Sequence, residues 1–199
     1  MKRLLAVCRG RVAPLTVTER GTPESVISAI GKSPVSTLER PERVPVVTLG
    51  IDGDEQADQT VHGGVDKAVY VYPSEHYAFW RTVRGQAGVH GELAPGAMGE
   101  NLLVEGLLEA SVWIGDRLTI GEVELRVESP RQPCYKFNAR MGFNWAVKMM
   151  VQSGYTGFYC SVLRTGSIAA GETLVLRPGA RDISIEESHR LRNRPRRRS

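Results

Sequence analysis

Asp116-Arg117-Leu118-Thr119-Ile120-Gly121-Glu122-Val123-Glu124-Leu125-Arg126-Val127-Glu128 is the best-patterned stretch of the chain. Leu118 and Ile120 alternate with polar neighbours, as do Val123, Leu125 and Val127. A period of two sets one apolar face of each strand against a core. Gly121-Glu122 between the runs reads as a hairpin turn. Further strands are expected at residues 3–9, 44–49, 67–72 (KAVYVY), 101–104, 158–163 and 173–176, with Ser111-Val112-Trp113-Ile114 leading into the hairpin. Two helices stand out. One starts after Pro73 with Ser74 as N-cap and places Tyr77, Trp80 and Val83 on one face. The other covers 144–152, with Met149 and Met150 read as core, and is closed by Gly154.

Residues 10–43 carry Pro14, Pro23, Pro34 and Pro41 and read as connections with one short helix at 23–30. About eight short strands with one or two helices give a mainly β, barrel-rich fold with a few short helices. Strands and helices do not alternate as a doubly wound sheet requires. Residues 1–182 form one domain, and residues 183–199 a partial helix and an Arg-rich disordered tail.

The chain has 199 residues, enough to bury roughly 70% of its unfolded surface without staples. The net charge of +4 is a property of the tail. Residues 190–199 hold six arginines and no acid, so removing those six charges leaves −2 for residues 1–189. A basic nucleic-acid-binding face is therefore disfavoured. Three cysteines without a CxxC spacing exclude a disulfide scaffold and argue against structural zinc. The apolar run at 4–8 is too short for a secretory leader and no stretch reaches the ~20 apolar residues of a membrane span, so a cytoplasmic protein without membrane partners is expected.

Cys134 is the most informative residue for chemistry. It follows a strand in Ser129-Pro130-Arg131-Gln132-Pro133-Cys134-Tyr135-Lys136. Pro130 and Pro133 fix the backbone and end the strand, so the thiol sits on a stiff loop at a sheet's end. Arg131 and Lys136 flank it with positive charge, which favours the thiolate that a nucleophile or a soft-metal ligand needs. The alternative is a buried structural cysteine, the reading given to Cys8 and Cys160.

A second cluster is Val61-His62-Gly63-Gly64-Val65-Asp66-Lys67. Gly63 and Gly64 allow close approach to a ligand, His62 could move a proton, and Lys67 could meet a phosphate. An ordinary surface loop fits the same spacing. A third is Pro95-Gly96-Ala97-Met98-Gly99-Glu100-Asn101, which is neither a Walker motif nor a dinucleotide fingerprint. It is either a backbone nest, with Glu100 and Asn101 turned to a ligand, or a plain loop. Asp52, Asp54 and Asp58 resemble half an EF-hand, but Gly63 stands where the bidentate Glu belongs. A solvated acidic loop is expected there.

HGGVDKAVYVYPSEHYAFW, PGAMGENLLVEG, IGDRLTIGEVELRVESPRQPCYK and GYTGFYCSVLRTGSIAAGETLVL, in this order, resemble the MOSC-domain family (molybdenum cofactor sulfurase C-terminal domain) in its YiiM-like branch. The resemblance runs from about residue 3 to 178. It implies a barrel-rich fold that carries a molybdenum–pterin cofactor, with Cys134 as metal ligand. It places His62, Glu100 and Asn101 on pocket motifs. The anionic cofactor suits Lys67, Arg131, Lys136 and the loops carrying Gly63, Gly64 and Gly99. The activity it implies is reduction of N-hydroxylated compounds, such as hydroxylaminopurines and amidoximes, by oxo transfer at molybdenum, with His62 or Glu100 protonating the leaving oxygen.

The sequence shows no flavin or iron–sulfur signature, so an external reductase is the implied electron donor. The resemblance extends to pyridoxal phosphate, for which Lys67 or Lys136 could form a Schiff base, and this ranks below molybdenum. The alternative function is a non-catalytic cofactor or sulfur carrier. Some relatives have a three-helix C-terminal extension, of which only residues 183–193 resemble the start. Partner docking and a homodimer therefore stay open.

Overall fold

The computed structural model describes residues 1–19, 21–57 and 63–194. The expected mainly β fold is present. Eight strands form one sheet. Its order is β13 (Leu174–Arg177), β9 (Arg117–Ile120), β10 (Val123–Pro130), β11 (Phe158–Arg164), β7 (Val69–Pro73), β8 (Leu102–Glu105), β1 (Arg3–Arg9) and β4 (Ser33–Thr37). The β9–β10 hairpin pairs Ile120 with Val123, so Gly121-Glu122 is the two-residue turn. The β7–β8 pair is parallel, and the crossover it requires carries helix α1 (Tyr77–Gln86).

The sheet curls until the chain entering β13 meets β1. Leu4 donates to Glu172, Gly171 to Leu4 and Leu174 to Lys2 at 2.7–3.0 Å. Inward residues such as Val69, Val71, Leu118, Ile120, Leu125 and Val127 fill the interior. Alternation in KAVYVY sends Tyr70 and Tyr72 to the opposite face, where Trp80, Phe137, Met141 and Met150 cover them. That second layer is built by α1, α2 (Lys136–Met141) and α3 (Ala146–Ser153). Tyr77, Trp80 and Val83 are buried together as expected, and Gly154 closes α3.

The expected helix at 23–30 is absent. β2 (Ala13–Glu19) and β3 (Thr22–Ser28) form a separate two-stranded ribbon. Both of its edges are open, so Pro14 and Pro23 sit there without breaking an inner ladder. Short β5 (Val44–Val47), β6 (Gly50–Ile51) and β12 (Gly166–Ile168) make a third sheet. Ser74 does not cap α1. It opens a 3₁₀ turn, Ser74–His76, that precedes the helix, and no side chain caps α1. Ser111 closes another 3₁₀ turn, Glu109–Ser111, and Trp113 makes one antiparallel bridge to Ser184.

The partial helix from 183 is α4 (Ile185–Arg192), opened by a Ser184–Glu187 capping box, and its Ile185 is buried in the barrel interior. Residues 195–199 of the Arg-rich tail lie outside the described residues, as do Asp58 and His62. No helix among the described residues is long and apolar enough to cross a membrane.

Candidate functional site

β10 ends at Pro130, and α2 does not begin until Lys136. The five residues between them form one wall of a cleft of about 760 Å³, part of it open to solvent. Arg131, Gln132 and Cys134 of this loop line the cleft, together with Lys136 at the start of α2. Lys67 comes from the 3₁₀ turn Val65–Lys67, Gly99 and Asn101 from the loop before β8, and Tyr70 and Tyr159 from neighbouring β7 and β11. The remaining wall is the end of β3 and the segment after it, with Ser28, Ile30 and Lys32, and the loop after β6, with Asp54 and Gln56. Six residues singled out from sequence thus meet in one cavity: Lys67, Gly99, Asn101, Arg131, Cys134 and Lys136.

Arg131 is 6% exposed. Its guanidinium donates to the Met98 carbonyl and, at 3.3 Å, to the Tyr70 hydroxyl. It lies 4.9 Å from the Tyr70 ring centre and 4.8 Å from that of Phe137. These partners are neutral, and no carboxylate pairs with it among the described residues. A guanidinium stays charged in proteins, so a buried positive charge faces the cavity wall without a counter-ion. Burial raises the Tyr159 pKa against the opposing pull of Arg131, so this phenol beside the cation stays protonated. Tyr70 is likewise shifted up by burial, and its hydroxyl donates to the Thr156 carbonyl at 2.7 Å.

Asn101 is buried, accepts from the Tyr70 amide at 3.0 Å and donates to Asp54 at 2.8 Å. Gly99 has φ +83°, and a Cβ there would meet Ile30 Cγ1 at 3.0 Å, so the loop can pass this wall only as glycine. Lys136 donates to the Ile27 carbonyl at 2.8 Å, tying the β2–β3 ribbon to the cavity rim. Cys134 is half-buried, whereas Cys8 and Cys160 are fully buried as expected.

Other expected site residues lie elsewhere. Glu100 is completely buried and is not part of the cavity lining. Its carboxylate accepts from the Tyr77 hydroxyl and from the Gly96 and Met98 amides at 2.7 and 3.0 Å. It therefore braces its own loop, and the ligand-facing role expected for it is corrected. Gly63 and Gly64 also stand back from the cavity. The Gly64 amide donates to Gln56, which lines it. His62 lies outside the described residues.

The sequence reading missed Lys32, Asp54, Tyr70, Tyr159 and Gln132 as cavity residues. Asp54 was expected in a solvated loop, but its side chain is 6% exposed and paired with Lys32. The residues that bury it are 22 and 47 positions away, beyond any local pattern.

The MOSC domain model matches residues 58–175, a segment that includes β7, β10, the Cys134 loop and β11. The chain belongs to the MOSC domain family. It is 38% identical over 174 residues to Uncharacterized protein YflK of Bacillus subtilis, covering 86% of this chain and 76% of that protein. It is also 38% identical over 167 residues to Protein YiiM of Escherichia coli, covering 83% and 71%. A protein named Reductase from Gibberella moniliformis is 38% identical over 128 residues, which are 64% of this chain and 22% of that protein. Among solved structures, YiiM from Geobacillus stearothermophilus superposes with a TM-score of 0.74 at 30% identity, covering 96% of this chain and 84% of its own. The fold is thus YiiM-like.

Proposed function

We propose that this MOSC protein holds a molybdenum–pterin cofactor in the cavity through Cys134 and reduces N-hydroxylated small molecules, with an external reductase as electron donor. The observation that carries the reading is Arg131, a buried cation whose partners among the described residues are neutral, on the same cavity wall as the half-buried Cys134. Such a wall suits a soft metal tied to an anionic carrier. Cys134 would supply the sulfur ligand. Lys67, Arg131 and Lys136 would hold the cofactor's phosphate, Gln132 offers an amide to its polar edges, and Asn101 fixes the wall by bonding Tyr70 and Asp54. The bound group would supply two-electron reduction.

The protein's own residues do the remaining work. Pro130 and Pro133 fix the loop so that the ligand needs little ordering on binding. Arg131 is oriented by the Tyr70 ring and the Met98 carbonyl. Protonated Tyr159 can donate, Tyr70 spends its proton on the Thr156 carbonyl, and neither phenol adds negative charge beside the cation. The reductase relative is consistent with this class of reaction. Pyridoxal phosphate ranks below molybdenum, since a Schiff base at Lys136 would consume the ammonium that bonds the Ile27 carbonyl, whereas a phosphate contact leaves that bond in place.

Molybdenum and oxidised-pterin content test the proposal. Wild type and Cys134→Ala are purified from a host that makes the cofactor, with a known molybdoenzyme as loading control. The expected result is near-stoichiometric metal in wild type and its loss in the variant, followed by reduction of hydroxylamino substrates. A loaded wild type that turns over none of them would favour a carrier. No metal in either, with the control loaded, overturns the reading.

A further inference from the structure

Two charged side chains on the cavity wall have no role in the reading above. Lys32 and Asp54 form an ion pair whose side chains are 9% and 6% exposed. Asp54 also accepts from Asn101 Nδ2 and from the Gly10 amide, each at 2.8 Å. The carboxylate is held from three directions and in turn holds the Lys32 ammonium. The backbone around Lys32 is fixed as well. Its carbonyl accepts from Arg140 at 3.4 Å, and a Cβ on Gly96 would come within 2.6 Å of it. Buried cations of this kind stabilise little over an apolar pair, so fold stability alone does not account for a lysine here.

The groups facing the amine are Asp54, Cys8 and Glu100. Burial lowers the Lys32 pKa, and Asp54 opposes that shift. A lysine brought down in this way can give up its proton nearer neutral pH.

Resting on the cofactor reading, we propose that Lys32 is the proton donor for N–O cleavage and that Asp54 is its positioning residue. The overall change is R–NHOH + 2e⁻ + 2H⁺ → R–NH₂ + H₂O. The N–O bond breaks, the two electrons come from the external reductase, and the nitrogen is reduced. Lys32 delivers one proton to the departing oxygen. Water at the cavity mouth supplies the other and reloads the amine.

Three variants and two readouts test this. With the loaded enzyme and a reductase, Lys32→Met loses about 10²–10⁴-fold in kcat, the span of general-acid catalysis, while its molybdenum content stays at the wild-type level. Lys32→Arg keeps the charge and the ion pair but holds its proton too tightly, so it loads cofactor and remains as slow as Lys32→Met. Wild-type kcat falls as pH rises through the amine's pKa, and both Lys32 variants lose that limb.

The second readout needs no cofactor. Competitive acetylation of the unloaded protein, read by peptide mass spectrometry, titrates the Lys32 amine below the surface lysines. Asp54→Asn removes the charge that props the pKa up, so this midpoint and the alkaline limb of kcat move down together. Turnover restored by arginine, loss of molybdenum in both Lys32 variants, or a Lys32 midpoint equal to that of surface lysines overturns the proposal. A wild type that never carries molybdenum fails the cofactor reading itself, and this inference falls with it for that separate reason.

Discussion

Replacing Glu100 by Gln separates a loop brace from a catalytic acid. In the fold, Glu100 Oε1 accepts from both Tyr77 and Gly96, and Oε2 accepts from Met98. A glutamine has one acceptor oxygen. Whichever way its amide turns, an –NH₂ faces one backbone N–H and leaves that buried donor unpaired. One unpaired buried donor costs about 1–3 kcal/mol. For a chain this long that is a drop in Tm of about 2–4 °C per kcal/mol.

The pH dependence sharpens the test. Burial raises the Glu100 pKa above its ordinary 4.5, in spite of the hydrogen bonds that pull it down. Between 4.5 and the raised value the unfolded chain releases a proton that the fold keeps. Wild-type stability therefore falls as pH rises through this window, by at most about 1.4 kcal/mol per pH unit from this group. The Tyr77 hydroxyl can support the neutral form, since it also reaches the Ala94 carbonyl at 3.3 Å and can turn its proton there. Glutamine does not titrate, so the variant lacks this slope.

Urea unfolding of both proteins from pH 4.5 to 7.5 should show the largest penalty at the acid end and a shrinking one above it. Groups common to both proteins cancel in the difference. A penalty that grows with pH, or none at pH 4.5, would refute the account.

Three further outcomes follow from the packing. Ser184→Ala removes the hydroxyl that accepts from the Glu187 amide, while the backbone N–H at 184 still reaches the Glu187 carboxylate, and it should lower stability by about 1 kcal/mol, read as a shift in the urea midpoint at unchanged m-value. Gly157→Ala places a Cβ at φ +60°, 2.5 Å from the Val71 carbonyl and 2.8 Å from the Tyr72 ring. The loop must shift, and since Gly157 follows the Thr156 carbonyl that receives Tyr70, the variant should lose stability and, on the cofactor reading, pterin retention as well. Glu109→Ala leaves the Gly157 amide and His76 Nε2 without their partner at 2.8 Å, a loss of about 2–5 kcal/mol by denaturant unfolding.

What the sequence disclosed depended on how local the cause was. The β9–β10 hairpin was legible because alternation and a two-residue turn act over a dozen positions. Cys134 was legible because two prolines and two cations stand within four residues of it. The β2–β3 ribbon was misread because proline content argues against strands only where the ladder is inner, and nothing local shows that this ribbon has two open edges. Glu100 and Asp54 were both misjudged, in opposite directions, for one reason. Whether a carboxylate faces a ligand, solvent or its own backbone depends on what the fold brings near it. For Glu100 the partners are its own loop and Tyr77, 23 positions away. For Asp54 they are Lys32, Asn101 and Gly10, which lie 22, 47 and 44 positions away. The side chains that set the electrostatics of this cavity are thus held from a distance, and the motif that identifies it holds only the thiol and its nearest cations.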